Sequence, residues 1–153
     1  MAYEIERKFT VLNNQFKKEA FKILNIEQGY IFAQSNKVLR VRLSNNKSKI
    51  AIKYGVDIIR NEYEYDIPFD DAKNLLKISE GYIITKKRYL VKCNEFIWEV
   101  DEFMNENKGL IIAEIELSNK DDKFIKPSWI GKDVSLDKKY YNHYLSKNPF
   151  LSW

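Results

Sequence analysis

Charged and apolar residues alternate over much of residues 3–117, a pattern typical of β-strands that have one polar and one apolar face. Successive side chains of a strand point to opposite sides of a sheet, so a period of two collects the charges on one side. Eight segments have the features of strands, at residues 3–9, 26–33, 38–43, 49–53, 61–67, 83–91, 95–103 and 110–117. The chain is therefore predicted to be mainly β.

Apolar residues recur at helical spacing in only a few places. The predicted helices run from Asn13 or Asn14 to Leu24, from Asp70 or Asp71 to about Ser79, over residues 120–125, and from Ser135 or Asp137 to about Leu145. Gly81 is placed to end the second helix, and residues 127–131 are expected to form a loop. Helices of this kind would cover a sheet, so the predicted class is α+β, mainly β.

Length and composition fit one globular domain spanning residues 1–153, with 44% hydrophobic and 31% charged residues. The 26 basic residues are nearly balanced by 22 acidic ones, so the net charge of +4 does not indicate a nucleic-acid partner. The single cysteine, Cys93, excludes an internal disulfide, and residues 1–30 lack the apolar run of a signal peptide. We therefore expect a cytoplasmic protein that has no membrane partner.

Charges of the same sign recur as neighbours on one face of a strand. Glu4 and Glu6 would lie about 7 Å apart, and at an effective dielectric near 20 they would repel by roughly 2 kcal/mol, so a divalent cation could relieve them. The same face carries the cations Lys8, Arg40, Arg42, Lys53, Lys86 and Arg88 and the anions Glu4, Glu6, Glu62, Glu64, Glu99, Asp101, Glu114 and Glu116. For any one strand a solvated face is the simpler explanation, but an open wet sheet more often mixes Thr, Ser and Gln among the charges.

A closed barrel explains the pattern better than an open sheet does. If eight strands close with their apolar sides outward, the charged sides line a lumen wide enough for one small ligand. Arginine and lysine suit phosphate oxygens, whereas carboxylates suit a hard divalent metal such as Mg²⁺ or Mn²⁺. The predicted ligand is therefore a metal-bound polyphosphate.

The order of these motifs resembles the CYTH domain of the triphosphate tunnel metalloenzyme superfamily over nearly the whole chain. The motifs are Glu4-x-Glu6-x-Lys8, Arg40-x-Arg42, Lys53, Glu62-x-Glu64, Lys86-x-Arg88, Glu99-x-Asp101 and Glu114-x-Glu116. The resemblance implies an eight-stranded antiparallel tunnel that binds a triphosphate on basic side chains and a divalent metal on carboxylates. The short chain and the segment from Asp137 to Tyr140 look most like compact bacterial members that hydrolyse inorganic tripolyphosphate.

The resemblance also implies roles for individual residues. Lys53 and Tyr30 match a pair assigned to water activation, although Lys53 could act as a base only in its uncharged form. Metal binding maps to Glu4, Glu6 and Glu116, with Glu114 beside them as a partner that orients a lysine. Substrate binding maps to Lys8, Arg40, Arg42, Lys86, Arg88, Lys138 and Lys139, and the further tunnel acids are Glu62, Glu64, Glu99 and Asp101. Lys139 stands where relatives often have arginine.

Other functions fit the same residues. A tunnel of this kind could also hydrolyse nucleoside triphosphates, act as a thiamine triphosphatase, or act as a class IV-type adenylyl cyclase. A non-catalytic binder of polyphosphate or nucleic acid would need no metal, and the many carboxylates argue against it. The apolar outer face could support a homodimer. His143 is expected to pack or lie at the surface, and Cys93 is not expected to be catalytic.

Overall fold

Nine antiparallel strands form one sheet in the computed structural model, which describes residues 3–55 and 57–153. The strands are β1 Tyr3–Val11, β2 Lys22–Ala33, β3 Lys37–Ser44, β4 Lys47–Tyr54, β5 Ile59–Asp66, β6 Glu80–Cys93, β7 Phe96–Phe103, β8 Ile111–Leu117 and β9 Ile130–Asp133. The helices are α1 Phe16–Glu19, α2 Phe69–Lys77 and α3 Asn142–Leu145, and short 3₁₀ turns lie at Asn105–Asn107, Lys138–Tyr140 and Phe150–Ser152. None of the helices in the described ranges is long and apolar enough to traverse a bilayer.

The first strand closes the sheet into a barrel. Around the sheet the order is β5, β4, β3, β2, β6, β7, β8 and β1, and β1 also pairs with β5. On one edge of β1, Lys8 lies opposite Glu114, and on the other edge Tyr3 lies opposite Asn61. The predicted eight-stranded antiparallel barrel is therefore confirmed, and β9 lies outside the ring as a short addition to the end of β1.

The main hydrophobic core lies outside the barrel wall. The outward faces of β1, β6, β7 and β8 pack beneath α1 and the segment that follows β8. Trp98 from β7 and Trp129 from that segment are both fully buried, with ring centroids 6.1 Å apart, and Phe9 and Phe16 extend the cluster. Losing such a side chain typically costs about 3–5 kcal/mol, so this side of the wall is held firmly.

A second apolar cluster lies at one end of the barrel. It forms where the ends of β2, β3, β6, β7 and β8 meet the C-terminal segment, and it contains Tyr30, Val38, Ile84, Phe103, Leu110, Ile112 and Leu145. The Tyr82 amide donates to the Ser146 carbonyl, and the Phe150 amide donates to the Asn107 side chain. These bonds fix the C-terminal segment across that end of the lumen.

Two predicted helices differ from the structure because strand pairing overrides helical spacing. The first helix covers only Phe16–Glu19, and Ile23 and Leu24 instead belong to β2, where they pair with Tyr89 and Arg88 of β6. Gly81 does not end α2. It lies within β6 with a φ of +70°, where a Cβ would collide with the Ser146 carbonyl oxygen.

The chain after β8 also differs from its prediction. Residues 120–125 form no helix, since the Asp122 carboxylate accepts from the Ser118 and Asn119 amides and holds a turn. Part of the predicted loop at 127–131 belongs to β9, which pairs with β1. The last predicted helix is broken into the Lys138–Tyr140 turn and α3, because Tyr141 between them has an extended backbone.

Candidate active site

The lumen of the barrel is a cavity of about 220 Å³ bordered mainly by charged side chains. Its wall contains Glu4, Glu6, Lys8, Gln28, Tyr30, Val38, Arg40, Arg42, Lys53, Arg60, Glu62, Glu64, Lys86, Arg88, Glu99, Glu114, Glu116, Tyr141, Asn142 and His143. The period of two along each strand turns these residues inward, while the apolar alternates face the outer cores. Nearly all of the predicted site residues therefore share one channel.

Asp101 was predicted to line the cavity but does not border it. Its side chain is completely buried and is the counterion of two cations that do border the cavity. Its carboxylate accepts from Lys86 Nζ at 2.7 Å, from Arg88 Nε at 2.7 Å and from Arg88 Nη2 at 2.9 Å. Burial lowers the pKa of Lys86 to about 7, against the opposing effect of Asp101. The position of Asp101 thus holds two cations at the wall with their remaining donors free to face the cavity.

The arginines of β3 carry positive charge that the barrel does not fully neutralise. Arg40 Nη2 donates to Glu64 at 3.0 Å, but among the described residues the buried Arg40 Nε has no partner. Burial, together with the positive charges of Arg40 and Arg88, lowers the pKa of Arg42 to about 10. An anion in the cavity would give Arg40 Nε an acceptor and would stabilise the charged form of Arg42.

Carboxylates converge at a second part of the wall. Oxygens of Glu6, Glu99 and Glu114 lie within 4.8 Å of one another. Burial, and then the charge of Glu114, raise the pKa of Glu6 to about 8, whereas Lys8 and Arg88 outweigh burial and hold the pKa of Glu114 well below its ordinary value. The proton held by Glu6 relieves the repulsion among these three carboxylates. A divalent cation could replace that proton, because carboxylate oxygens are the hard donors that such ions prefer.

This cluster differs from the predicted metal set of Glu4, Glu6, Glu114 and Glu116. Glu4 lies outside the tight cluster, and it accepts from Lys53 Nζ at 2.9 Å and from Arg60 Nη2 at 3.2 Å. Glu116 borders the cavity outside the tight cluster, and burial and the charge of Glu4 raise its pKa. Glu99 joins the cluster because β7 and β8 pair with Glu99 directly opposite Glu114.

The predicted water-activating pair occupies two different environments. Lys53 Nζ contacts the carboxylates of Glu4 at 2.9 Å and Glu62 at 3.4 Å, so its near neighbours are anions. Tyr30 is buried, and burial raises the pKa of its phenol. Tyr30 is therefore an un-ionised phenol at neutral pH and can donate a hydrogen bond.

The two predicted C-terminal lysines lie outside the main cavity. Lys138 borders a smaller adjoining cavity of about 80 Å³ that also touches Lys53 and Arg60. Lys139 points elsewhere, with Nζ 4.4 Å from the centroid of the Trp153 ring. The predicted continuous helix is a 3₁₀ turn at Lys138–Tyr140, and in this turn the two lysine side chains point in different directions.

Several lining residues received no role in the sequence analysis. Arg60 has the same two-residue spacing as Glu62 and Glu64, so the alternation of β5 could have revealed it. His143 meets the Tyr30 ring edge-on at 6.2 Å, and burial and then Arg60 lower its pKa to about 4. His143 therefore packs against Tyr30 and also borders the cavity. Gln28 lies two residues before Tyr30 in β2, so the same alternation could have revealed it, whereas no sequence signal marked Asn142 or Tyr141 as lining residues.

Comparison with known proteins identifies the family. A family model described as the CYTH domain matches residues 2–147. An inorganic triphosphatase of Acetivibrio thermocellus is 45% identical, covering 100% of this chain and 99% of its own length, and one of Nitrosomonas europaea is 31% identical, covering 94% and 96%. The crystal structure of the inorganic triphosphatase NE1496 superposes with a TM-score of 0.67 at 29% identity and covers 95% of each chain. A match of this extent to the family model and to full-length relatives places the chain in the CYTH domain family.

Proposed function

We propose that this protein hydrolyses inorganic tripolyphosphate to orthophosphate and pyrophosphate in a reaction that needs a divalent metal. The observation that carries the proposal is the single cavity in which unneutralised arginines and converging carboxylates face each other. The names of the two full-length relatives support the same substrate. Action in the cytoplasm is part of the proposal, and the presence of a single cysteine supports it.

Phosphate binding is assigned to the cations of the wall, which are Lys8, Arg40, Arg42, Lys86 and Arg88. Their guanidinium and ammonium groups can donate charge-assisted hydrogen bonds to phosphoryl oxygens. The unpartnered Arg40 Nε and the lowered pKa of Arg42 support an anion at this part of the wall. Lys138 remains a proposed contact only at the adjoining cavity, and Lys139 is withdrawn because it packs on Trp153.

Metal binding is assigned to Glu6, Glu99 and Glu114, with Glu116 as a further carboxylate of the same cavity. Their oxygens suit Mg²⁺ or Mn²⁺, and either ion would neutralise charge on phosphoryl oxygens. Glu4 is reassigned to holding Lys53 and Arg60 in place. Lys8 bridges the two functions, since its Nζ contacts Glu114 at 3.1 Å and Glu6 at 3.4 Å.

The catalytic pair is assigned to Lys53 and Tyr30. Lys53 lies between Glu4 and Glu62, which fix its Nζ at the wall where it can position a water molecule for in-line attack. Tyr30, kept as a phenol by burial, supplies a hydrogen-bond donor rather than a base. The bond that forms joins the water oxygen to the terminal phosphorus, and the bond that breaks joins that phosphorus to the bridging oxygen. The proton that the water loses passes to a phosphate oxygen of the products.

One assay separates this proposal from its alternatives. The protein is incubated with tripolyphosphate, ATP or thiamine triphosphate in Mg²⁺, Mn²⁺ or EDTA, and orthophosphate, pyrophosphate and cyclic AMP are followed. We expect metal-dependent orthophosphate release, fastest from tripolyphosphate. Cyclic AMP and pyrophosphate from ATP would instead identify a cyclase, and metal-independent binding without turnover would identify a polyphosphate-binding protein.

A further inference from the structure

A buried chain of hydrogen bonds links two phosphate-binding cations through two amides. Arg42 Nε donates to Gln28 Oε1 at 2.9 Å. Gln28 Nε2 donates to Tyr30 Oη at 2.9 Å and to Asn142 Oδ1 at 3.3 Å. Lys86 Nζ donates to the same Asn142 oxygen at 2.9 Å. Gln28 is 1% exposed, so the centre of the chain lies in the barrel wall and not in solvent.

The chain begins and ends on groups that can only donate, and this determines which way both amides face. Guanidinium and ammonium groups have no acceptor, so the Gln28 atom beside Arg42 and the Asn142 atom beside Lys86 must both be oxygens. The remaining polar atom of the Gln28 side chain is then its nitrogen. That nitrogen faces Tyr30 and can only donate to the phenolic oxygen.

The direction of this bond determines what Tyr30 can do. Its oxygen is occupied as an acceptor, and among the described residues no acceptor takes its hydrogen. Tyr30 also borders the cavity. We propose that Gln28 is a positioning residue that directs the Tyr30 hydroxyl hydrogen into the tunnel, towards an oxygen of the phosphoryl group being transferred. This inference rests on the proposed triphosphatase function and adds a residue and a role to it.

The proposed role predicts the effect of reversing the bond. In Gln28→Glu the carboxylate still accepts from Arg42 Nε but cannot donate, so the Tyr30 hydroxyl turns to donate to it and leaves the tunnel. A hydrogen bond to a charged group contributes enough for a loss on the order of tenfold to 100-fold in kcat. KM for tripolyphosphate should rise as well, since the carboxylate partly offsets the charge of Arg42 and repels the Asn142 oxygen that Lys86 contacts. Gln28→Met, which frees all three partners of Gln28, should lower kcat and also raise KM.

A double-mutant cycle with Tyr30→Phe separates this role from a structural one and from the added charge. If Gln28 acts through Tyr30, Gln28→Glu should cost no more than about threefold in kcat when it is added to Tyr30→Phe, because no hydroxyl remains to redirect. Gln34→Glu, the same substitution on an exposed turn between β2 and β3, is the matched control and should leave kcat unchanged. Thermal unfolding of each variant checks that the fold is retained.

The outcomes distinguish the inference from the function on which it rests. Equal losses for Gln28→Glu in the wild-type and Tyr30→Phe backgrounds, with an active wild type, would overturn the positioning role and leave the triphosphatase function standing. A wild-type protein that neither binds nor hydrolyses tripolyphosphate would overturn the function itself. The hydroxyl proton of Tyr30, assigned by NMR through its loss in Tyr30→Phe, gives a readout without turnover. Its resonance should shift in Gln28→Glu and stay in place in Gln34→Glu, and an unshifted resonance in Gln28→Glu would overturn the proposed bond direction.

Discussion

Asp101→Asn tests the buried ion pairs that Asp101 makes with two cations of the tunnel lining. The carboxylate accepts three charge-assisted hydrogen bonds from Lys86 and Arg88, and the side chains of Asp101 and Lys86 are both completely buried. Asparagine keeps the shape but removes the ion-pair partner of Lys86, leaves Arg88 with Glu99 and the more distant Glu114, and turns an amide nitrogen towards a donor. Removing one partner of a buried ion pair costs on the order of 3–5 kcal/mol. For a chain of this size that corresponds to a fall in Tm of about 6–20 °C.

The same substitution should weaken binding in a pH-dependent manner. Asp101 raises the pKa of Lys86, which burial has lowered to about 7, so its removal lowers that pKa further. A triphosphate binds the charged form of Lys86. Above the pKa of Lys86, binding must therefore be accompanied by uptake of a proton from solvent. KM for tripolyphosphate should therefore rise at every pH and rise more at pH 8 than at pH 6.

Differential scanning calorimetry and steady-state phosphate release measure the two effects. Asp66→Asn is the matched control, since Asp66 pairs with Lys49 at 2.9 Å but its side chain is 83% exposed. A surface pair of this kind contributes at most about 1 kcal/mol. An Asp101→Asn protein with the Tm of Asp66→Asn and an unchanged pH profile of KM would refute the reasoning.

Further predictions concern the two halves of the cavity. Glu6→Ala should abolish metal-dependent phosphate release while circular dichroism and Tm stay near wild type, and full activity would refute the metal assignment. Arg40→Ala should mainly raise KM, by roughly tenfold or more, as expected for a lost charged hydrogen bond; a fall in kcat alone would count against it. In EDTA the free energy of unfolding of the wild type minus that of Glu6→Gln should fall between pH 5 and 7, because folded Glu6, with a pKa of about 8, holds a proton that the unfolded chain releases near 4.5. The opposite slopes from His143 and Lys86, whose pKa values burial lowers, are common to both proteins and cancel in this difference. Chemical denaturation measures the difference, and added Mn²⁺ should stabilise the wild type more at pH 7 than at pH 5.

Local sequence was sufficient to predict which strand faces line the tunnel. A period of two depends only on backbone geometry, so Lys8, Arg42 and Glu64 could be assigned to the lumen without knowledge of their neighbours. The same rule would have found Arg60 had β5 been traced to its first residues. Local sequence failed at Ile23 and Leu24, where helical spacing and strand alternation are both possible. These residues form a strand because they pair with β6.

The composition of the acidic cluster could not be predicted in this way. Glu99 lies beside Glu114 because of the register between β7 and β8. Glu4 instead forms an ion pair with Arg60 of β5. Register and ion-pair choice are properties of the assembled barrel. Asn142 enters the site through the broken C-terminal helix, which depends on packing against the barrel end.

The position of β1 has a consequence for synthesis of the chain. Glu6 and Lys8 are made more than 100 residues before their partners across the strand, Glu116 and Glu114, so this edge of β1 must wait until β8 has emerged. Pairings this distant in sequence form slowly. A ribosome-bound fragment that ends before β8 would therefore carry a first strand whose β8 edge is unprotected, and chaperone occupancy should be highest at that length of nascent chain.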